Sequence, residues 1–194
     1  MDSAKNIIRD RMKKSREDYF KSLSESGKSQ LNKELIKNIL TLIPANMNGP
    51  IAVFWPMTYE PDIRPIFDKI LSMGRKVLLP VIQGPRTSLI FRNWKTGDRL
   101  QESNTKTMEP LLKSTIYEPE VLLIPLLGFD NRGHRLGYGA GHYDRTLMQF
   151  YKKKLNILTI GVAYEMQHVN ELPIGSYDQP LHWVATEEKI YKFV

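Results

Sequence analysis

The chain has 194 residues, 41% of them apolar and 25% charged, with no cysteine and a net charge of +7. These values describe a globular chain with a core of its own and exclude a disordered, fibrous or disulfide-stapled protein and any thiolate metal site. The longest apolar stretch, residues 121–129, is broken by Pro125 and Gly128 and is too short to span a bilayer.

The first 33 residues carry nine basic and five acidic side chains. A basic balance favours a polyanionic partner, whether nucleic acid, a membrane surface or a phosphorylated small molecule. Residues 3–23 contain no Gly or Pro and are rich in Lys and Arg, which predicts a helix with Asp2 or Ser3 available as cap. The segment lacks the apolar core of a signal peptide, and Asp2, Asp10, Glu17 and Asp18 argue against a mitochondrial presequence, so a cytoplasmic location is expected. On such a helix Lys5, Arg9, Lys13 and Arg16 share one face, which taken alone reads as a solvated surface.

A second helix is predicted over 29–42, with Leu31, Leu35, Ile39 and Leu42 on one side and Pro44 closing it. Residues 51–55 form a short apolar run before Pro56, as in a buried strand. A third helix follows over 63–73, ended by Gly74. Residues 76–81 predict a buried strand and 89–94 a partly exposed one. The stretch 95–120 is polar and turn-rich, with no element assigned. Residues 121–125 are the next strand, 143–151 a helix, 157–163 a strand and 182–186 a last short strand.

Strands alternating with helices predict an α/β fold in one domain spanning 1–194: a mainly parallel sheet with helices on both faces, Rossmann-like and three-layered. Ligands in such sheets bind at the carboxyl edge of the strands. That rule selects two loops, residues 56–62 and 128–143.

In the second loop, glycines at 137, 139 and 141 free the backbone to turn its N–H groups inward. The helix that begins near Tyr143 adds unpaired N–H donors and a partial positive charge, a natural seat for phosphate oxygens. Arg135 and Arg145 flank the loop. His142 stands where the third Gly of a dinucleotide fingerprint belongs, and the Gly-Lys-Ser/Thr ending of a P-loop is absent. A plain surface loop is the alternative. Asp144 suits the first turn of a helix for dipole reasons alone, and beside phosphate it could also hold Mg²⁺. Tyr143, Leu147, Phe150 and Tyr151 form a helical stripe, which leaves Tyr143 either core or ligand-stacking.

The run Ile124-Pro125, Gly128-Phe129-Asp130, Gly133, Arg135-Leu136-Gly137-Tyr138-Gly139, Gly141, Tyr143-Asp144-Arg145 resembles the signature of the 5-formyltetrahydrofolate cyclo-ligase (methenyltetrahydrofolate synthetase) family. The opening Ser3-Ala4-Lys5-Asn6-Ile7-Ile8-Arg9, the acidic Glu60-Pro61-Asp62-Ile63 and the segment from Leu172-Pro173 to Asp178 resemble further parts of that family, in the same order. The resemblance implies ATP and 5-formyltetrahydrofolate as substrates and Mg²⁺ as cofactor. It implies that Lys5 and Arg9 reach the ATP phosphates, and that Arg135, Leu136, Gly137, Tyr138, Gly139, Ala140, Gly141, His142 and Tyr143 form the nucleotide loop. Trp55, Met57, Glu60 and Asp62 would line the folate pocket, with Gly139 and Tyr143 also near the folate. Asp144 and Asp178 would hold Mg²⁺, and Lys5 and Arg145 would act on the transferring phosphate. The chain departs from the family pattern at His142, where an aromatic ring is usual, at Ala140, where Gly or Lys is common, and at His182, where a second Asp often follows.

The histidines at 134, 142, 168 and 182 have no H-x-x-x-H spacing, which argues against zinc. No serine or cysteine sits in a nucleophile motif. This fits the implied chemistry, in which the nucleophile belongs to the substrate. No nucleic-acid or membrane partner is expected, and the chain is expected to be a monomer or weak homo-oligomer. Two other readings stand beside this one: a sugar-phosphate isomerase or acyl-transfer enzyme on a similar sheet, and a nucleic-acid-binding module using the basic first helix.

Overall fold

The structure, a computed structural model, describes residues 2–175 and 178–193. Ser176 and Tyr177, within the C-terminal segment that carries part of the resemblance, lie outside the described residues. The chain opens with two helices, α1 (Asp2–Ser22) and α2 (Glu25–Leu42). The second begins four residues earlier than its apolar stripe predicts, because Ser24 caps it by accepting the Gly27 N–H at 3.1 Å.

There follow β1 (Ile51–Ala52), α3 (Pro65–Ser72), β2 (Val77–Ile82), β3 (Leu89–Trp94), β4 (Leu100–Glu102) and β5 (Met108–Pro110). Then come β6 (Val121–Pro125), β7 (Gly128–Phe129), β8 (Arg135–Leu136), α4 (His142–Lys152), β9 (Leu158–Val162), β10 (Trp183–Ala185) and β11 (Ile190–Lys192). Seven strands form the main sheet in the order β11-β10-β9-β6-β1-β2-β3. The five central strands run parallel, and the edge strands β3 and β11 are antiparallel to their neighbours. This is the expected α/β arrangement.

Both faces of the sheet are covered, so its central strands are apolar at successive positions rather than alternately. Ile51, Val77, Leu79, Val121, Leu123 and Ile160 pack toward Leu35 and Ile39 of α2 and Ile66 and Ile70 of α3. Ala52, Leu78, Leu122 and Ile124 point the other way, toward Leu147 and Phe150 of α4. The ladder of β1 is shorter than its apolar run, although Val53 N still donates to Leu78 O at 2.9 Å.

Several short strands escape a reading of apolar patterning, among them β7 and β8, which pair antiparallel inside the stretch read as a loop. Residues 95–120, left without an element above, contain the β4–β5 hairpin, whose Gln101 and Glu102 are exposed. The chain also adds β11 after the last strand expected.

The first helix is tied down at the carboxyl edge of the sheet. Met12 is buried against Leu127, Leu136 and Leu172, with Ile8 and Tyr138 beside it. Leu127 comes two residues after the end of β6, so α1 lies over the same edge that the glycine-rich loop occupies.

Candidate active site

The loop between β8 and α4 depends on two glycines in left-handed backbone. Gly139 has φ +109° and Gly141 has φ +68°, conformations that residues with a Cβ adopt at a cost. Gly141 is the N-cap of α4 and supplies no capping side chain. The first-turn N–H groups are therefore left for a ligand. Thr146 fastens this helix start to the sheet: its hydroxyl donates to His142 O at 2.7 Å and accepts from Leu89 N at 2.8 Å. His142 Nδ1 lies 2.7 Å from Thr87 O, an arrangement in which the ring donates.

Four cations lie at the loop and at the neighbouring segment around Asp178. Arg9 Nε donates to Gly137 O at 2.9 Å, and its guanidinium lies 3.5 Å from where a Cβ on Gly139 would sit. Lys5 pairs with Asp178. Arg135 donates to Gln179 O at 2.7 Å and to Asp144 Oδ1 at 2.6 Å. Arg145 reaches back from α4 to Ala140 O at 2.6 Å. Set against the two carboxylates of Asp144 and Asp178, these cations leave an excess of positive charge that suits a polyphosphate. The stripe on α1 is thus divided. Lys5 and Arg16 are turned inward, with side chains 13% and residue 4% exposed respectively, whereas the Lys13 side chain is 48% exposed.

Beside the loop opens a cleft of about 310 Å³. Trp55, Met57, Glu60, Tyr138, Ala140, His142 and Tyr143 are among its walls, together with Arg135 and Asp144 at the loop end. Trp55 is held edge-on to Trp94 at 6.0 Å between centroids. Thr105, Thr107 and Met108 of the hairpin region also line the cleft. Sequence reasoning missed these three, because the polar stretch around them carries no clear periodicity.

The acidic loop after β1 splits its two carboxylates. Glu60 is 5% exposed and lines the cleft; its Oε2 accepts from Met57 N at 2.9 Å and its Oε1 from the Tyr138 hydroxyl. Asp62, expected in the folate pocket, lies outside the cleft in a groove between α2 and α3, chelated by Arg64 at 2.8 and 2.7 Å. Leu136, expected in the nucleotide loop, buries its side chain beneath α1.

Burial pushes the Glu60 carboxyl above the ordinary range, while Tyr138, the Met57 N–H and Arg16 pull it back down. The Tyr138 and Tyr143 phenols are pushed up by burial and by the charge of Glu60, so both remain neutral donors. Burial also opposes the Asp178 charge, but the Gly175 N–H, Lys5 and Arg135 outweigh it and the carboxyl is held below its usual value.

Among the described residues no three His, Cys, Asp or Glu side chains gather as a metal cage. Asp144 and Asp178 offer hard oxygen donors on either side of Arg135, which fits a magnesium ion that takes most of its ligands from phosphate and water. His182 is turned away toward β9, where Nδ1 accepts from Thr159 N at 3.1 Å and lies 2.6 Å from the Thr159 hydroxyl. No helix among the described residues is long and apolar enough to cross a membrane.

Known proteins resemble the chain along nearly its whole length. Residues 1–187 match the model of the 5-formyltetrahydrofolate cyclo-ligase family. The chain is 30% identical over 178 residues to the 5-formyltetrahydrofolate cyclo-ligase of Escherichia coli K12, covering 89% of this chain and 97% of the relative. It is 28% identical over 166 residues to that of Haemophilus influenzae, covering 82% and 87%. The NMR structure of Aquifex aeolicus 5,10-methenyltetrahydrofolate synthetase superposes with a TM-score of 0.80 at 26% identity, over 98% of this chain and 93% of that one. The fold is shared as well with a Mycoplasma pneumoniae 5,10-methenyltetrahydrofolate synthetase, at a TM-score of 0.73 and 22% identity, over 94% and 98%. With a matching family model along nearly its whole length, and a relative of the same kind covered almost end to end, the chain belongs to the 5-formyltetrahydrofolate cyclo-ligase family and is a ligase.

Proposed function

We propose that this chain uses ATP, with Mg²⁺, to cyclise 5-formyltetrahydrofolate to 5,10-methenyltetrahydrofolate, releasing ADP and phosphate. The observation that carries the reading is the junction of two features. A glycine loop heading a helix and ringed by Lys5, Arg9, Arg135 and Arg145 opens directly onto an apolar cleft with one buried carboxylate.

The triphosphate would lie along residues 135–143, its oxygens taking the free N–H groups at the head of α4. The pterin would enter the cleft beside Trp55, Met57 and Tyr143 and near Gly139, its N–H donors facing Glu60 as acceptor. In that pose the formyl group would lie next to the phosphate tail. The formyl oxygen attacks the γ-phosphorus, ADP leaves, and the formyl carbon now carries a phosphate leaving group. N10 then attacks that carbon, the C–O bond breaks, and phosphate departs with the N10 proton as the ring closes.

The protein's part is placement and charge stabilisation, the usual division of labour in phosphoryl transfer. Lys5 and Arg145 would share the charge on the transferring phosphate, while Arg9 and Arg135 hold the loop and its nucleotide. Asp144 and Asp178 would hold Mg²⁺, which when bound neutralises phosphate charge. The apolar walls would keep water from the phosphorylated intermediate.

A spectrophotometric assay tests the reading: 5-formyltetrahydrofolate, Mg²⁺ and ATP, with the methenyl chromophore followed in time. Growth of the chromophore is expected only when both ATP and Mg²⁺ are present. A silent assay with folded protein, or a signal independent of ATP, would overturn it.

A further inference from the structure

Arg16 has no place in the mechanism above, yet it is one of the most deeply buried charges in the chain. It stands on α1 at 4% exposure, and its Nε and Nη1 are buried without a hydrogen-bond partner among the described residues. Its Nη2 donates to the Tyr138 hydroxyl at 2.9 Å, and the guanidinium lies 5.8 Å from the Tyr138 ring centroid. A cation buried so incompletely satisfied is costly, and such groups persist where the charge has a task.

The direction of the hydrogen bonds identifies the task. A guanidinium can only donate, so the Tyr138 oxygen must accept from Arg16, and its single proton is left for Glu60. The other Glu60 oxygen accepts from the Met57 N–H. Every bond in this chain therefore runs toward Glu60, and every one favours its ionised form. Among the described residues, the groups facing it are Arg16 from α1, Tyr138 from the glycine-rich loop and Tyr143 from α4, of which Arg16 is the cation. No direct Arg16–Glu60 ion pair forms; the tyrosine hydroxyl stands between them.

We infer that Arg16 is a positioning residue for substrate: through Tyr138 it anchors the Glu60 carboxyl, whose remaining lone pairs accept N–H donors of a bound pterin or similar amino-oxo heterocycle. The inference rests on the function proposed above for this cleft. It assigns substrate recognition to Glu60 rather than to Asp62, two residues further on, because Asp62 is already chelated by Arg64 outside the cleft. Without Arg16, burial would leave Glu60 protonated to a higher pH, and a protonated carboxyl loses acceptor capacity on the cleft side.

The test uses Arg16→Met, which keeps the length and apolar stem of the side chain, and Tyr138→Phe, which removes only the bridging hydroxyl. Replacement of a buried charge by an apolar residue of similar volume is commonly tolerated, and near-UV circular dichroism checks the fold of each variant. Carboxyl-carbon NMR of ¹³C-glutamate-labelled protein, with the Glu60 signal assigned by its loss in Glu60→Gln, should show Glu60 titrating at higher pH in both variants than in wild type. In the assay, the KM for 5-formyltetrahydrofolate should rise by about tenfold at neutral pH, the scale of one hydrogen bond to a charged group. The KM for ATP should move less, and raising the pH should narrow the gap to wild type as Glu60 ionises again. Unchanged Glu60 titration in a folded Arg16→Met protein overturns the assignment of Arg16, even if the enzyme is active. Wild-type protein without turnover overturns instead the reading of the cleft, and with it the ligand class named here.

Discussion

Arg9 on the first helix donates from Nε to the carbonyl of Gly137, 2.9 Å away and 128 residues distant in sequence. The contact makes α1 one wall of the glycine-rich loop rather than a solvated appendage. The same guanidinium lies 3.5 Å from where a Cβ on Gly139 would sit, at a backbone φ of +109°.

Gly139→Ala should therefore do two kinds of damage. The left-handed backbone costs a residue with a Cβ about 1–3 kcal/mol, and any shift that relieves the strain moves the loop N–H groups and Arg9 together. The expected result is a higher KM for ATP and a lower melting temperature, read by steady-state kinetics and calorimetry. Wild-type values for both would show that the loop conformation is not required.

Arg145 reaches Ala140 O from a half-buried position and supports little of the core. Arg145→Ala should leave the melting temperature within a degree or two while turnover falls by more than about tenfold, as when one charge is removed from a transferring phosphoryl group. Unaltered turnover would strike Arg145 from the catalytic set.

Thr146 makes a different sort of prediction, since it touches no substrate. It is fully buried, and its hydroxyl satisfies Leu89 N of β3 while donating to His142 O. Thr146→Val leaves that N–H without a partner and should cost about 1–3 kcal/mol in chemical denaturation. KM values should change little if the start of α4 keeps its place.

Much of this layout was legible in the residues themselves. The helix predicted over 3–23 forms over Asp2–Ser22, and the apolar runs near 77–82, 121–125 and 158–162 are the central strands, because strands covered on both faces must be apolar at successive positions. The glycine spacing at 137–141 marked the loop. The β4–β5 hairpin stayed hidden because Gln101 and Glu102 face outward and erase the alternation. Arg16 was hidden by its helix: periodicity put it on a basic face, and only the packing of Met12 against Leu127 and Leu136 reveals that the face turns inward. The choice between Glu60 and Asp62 likewise depends on Arg64, whose fork captures the second acid.

The Lys5–Asp178 pair joins α1 to the segment after residue 175, and it supplies a pH dependence of stability. The folded chain holds the Asp178 carboxyl below its ordinary value, so the pair's contribution is complete above the unfolded carboxylate range and fades as pH falls through the folded value. Asp178→Asn should thus melt lower than wild type at neutral pH, and the two curves should converge once the pH falls below the depressed folded value of Asp178. A constant gap at all pH values would mean that the lost stability comes from elsewhere.

The claim on which the rest depends is that the backbone of residues 137–143, with Lys5, Arg9, Arg135 and Arg145 around it, cradles a triphosphate beside the cleft. A crystal structure with Mg²⁺ and a non-hydrolysable ATP analogue tests it most directly. The account predicts the phosphate tail against the N–H groups at the head of α4, with the cleft left open for the folate. A triphosphate bound elsewhere, or an empty loop at saturating nucleotide, would contradict it.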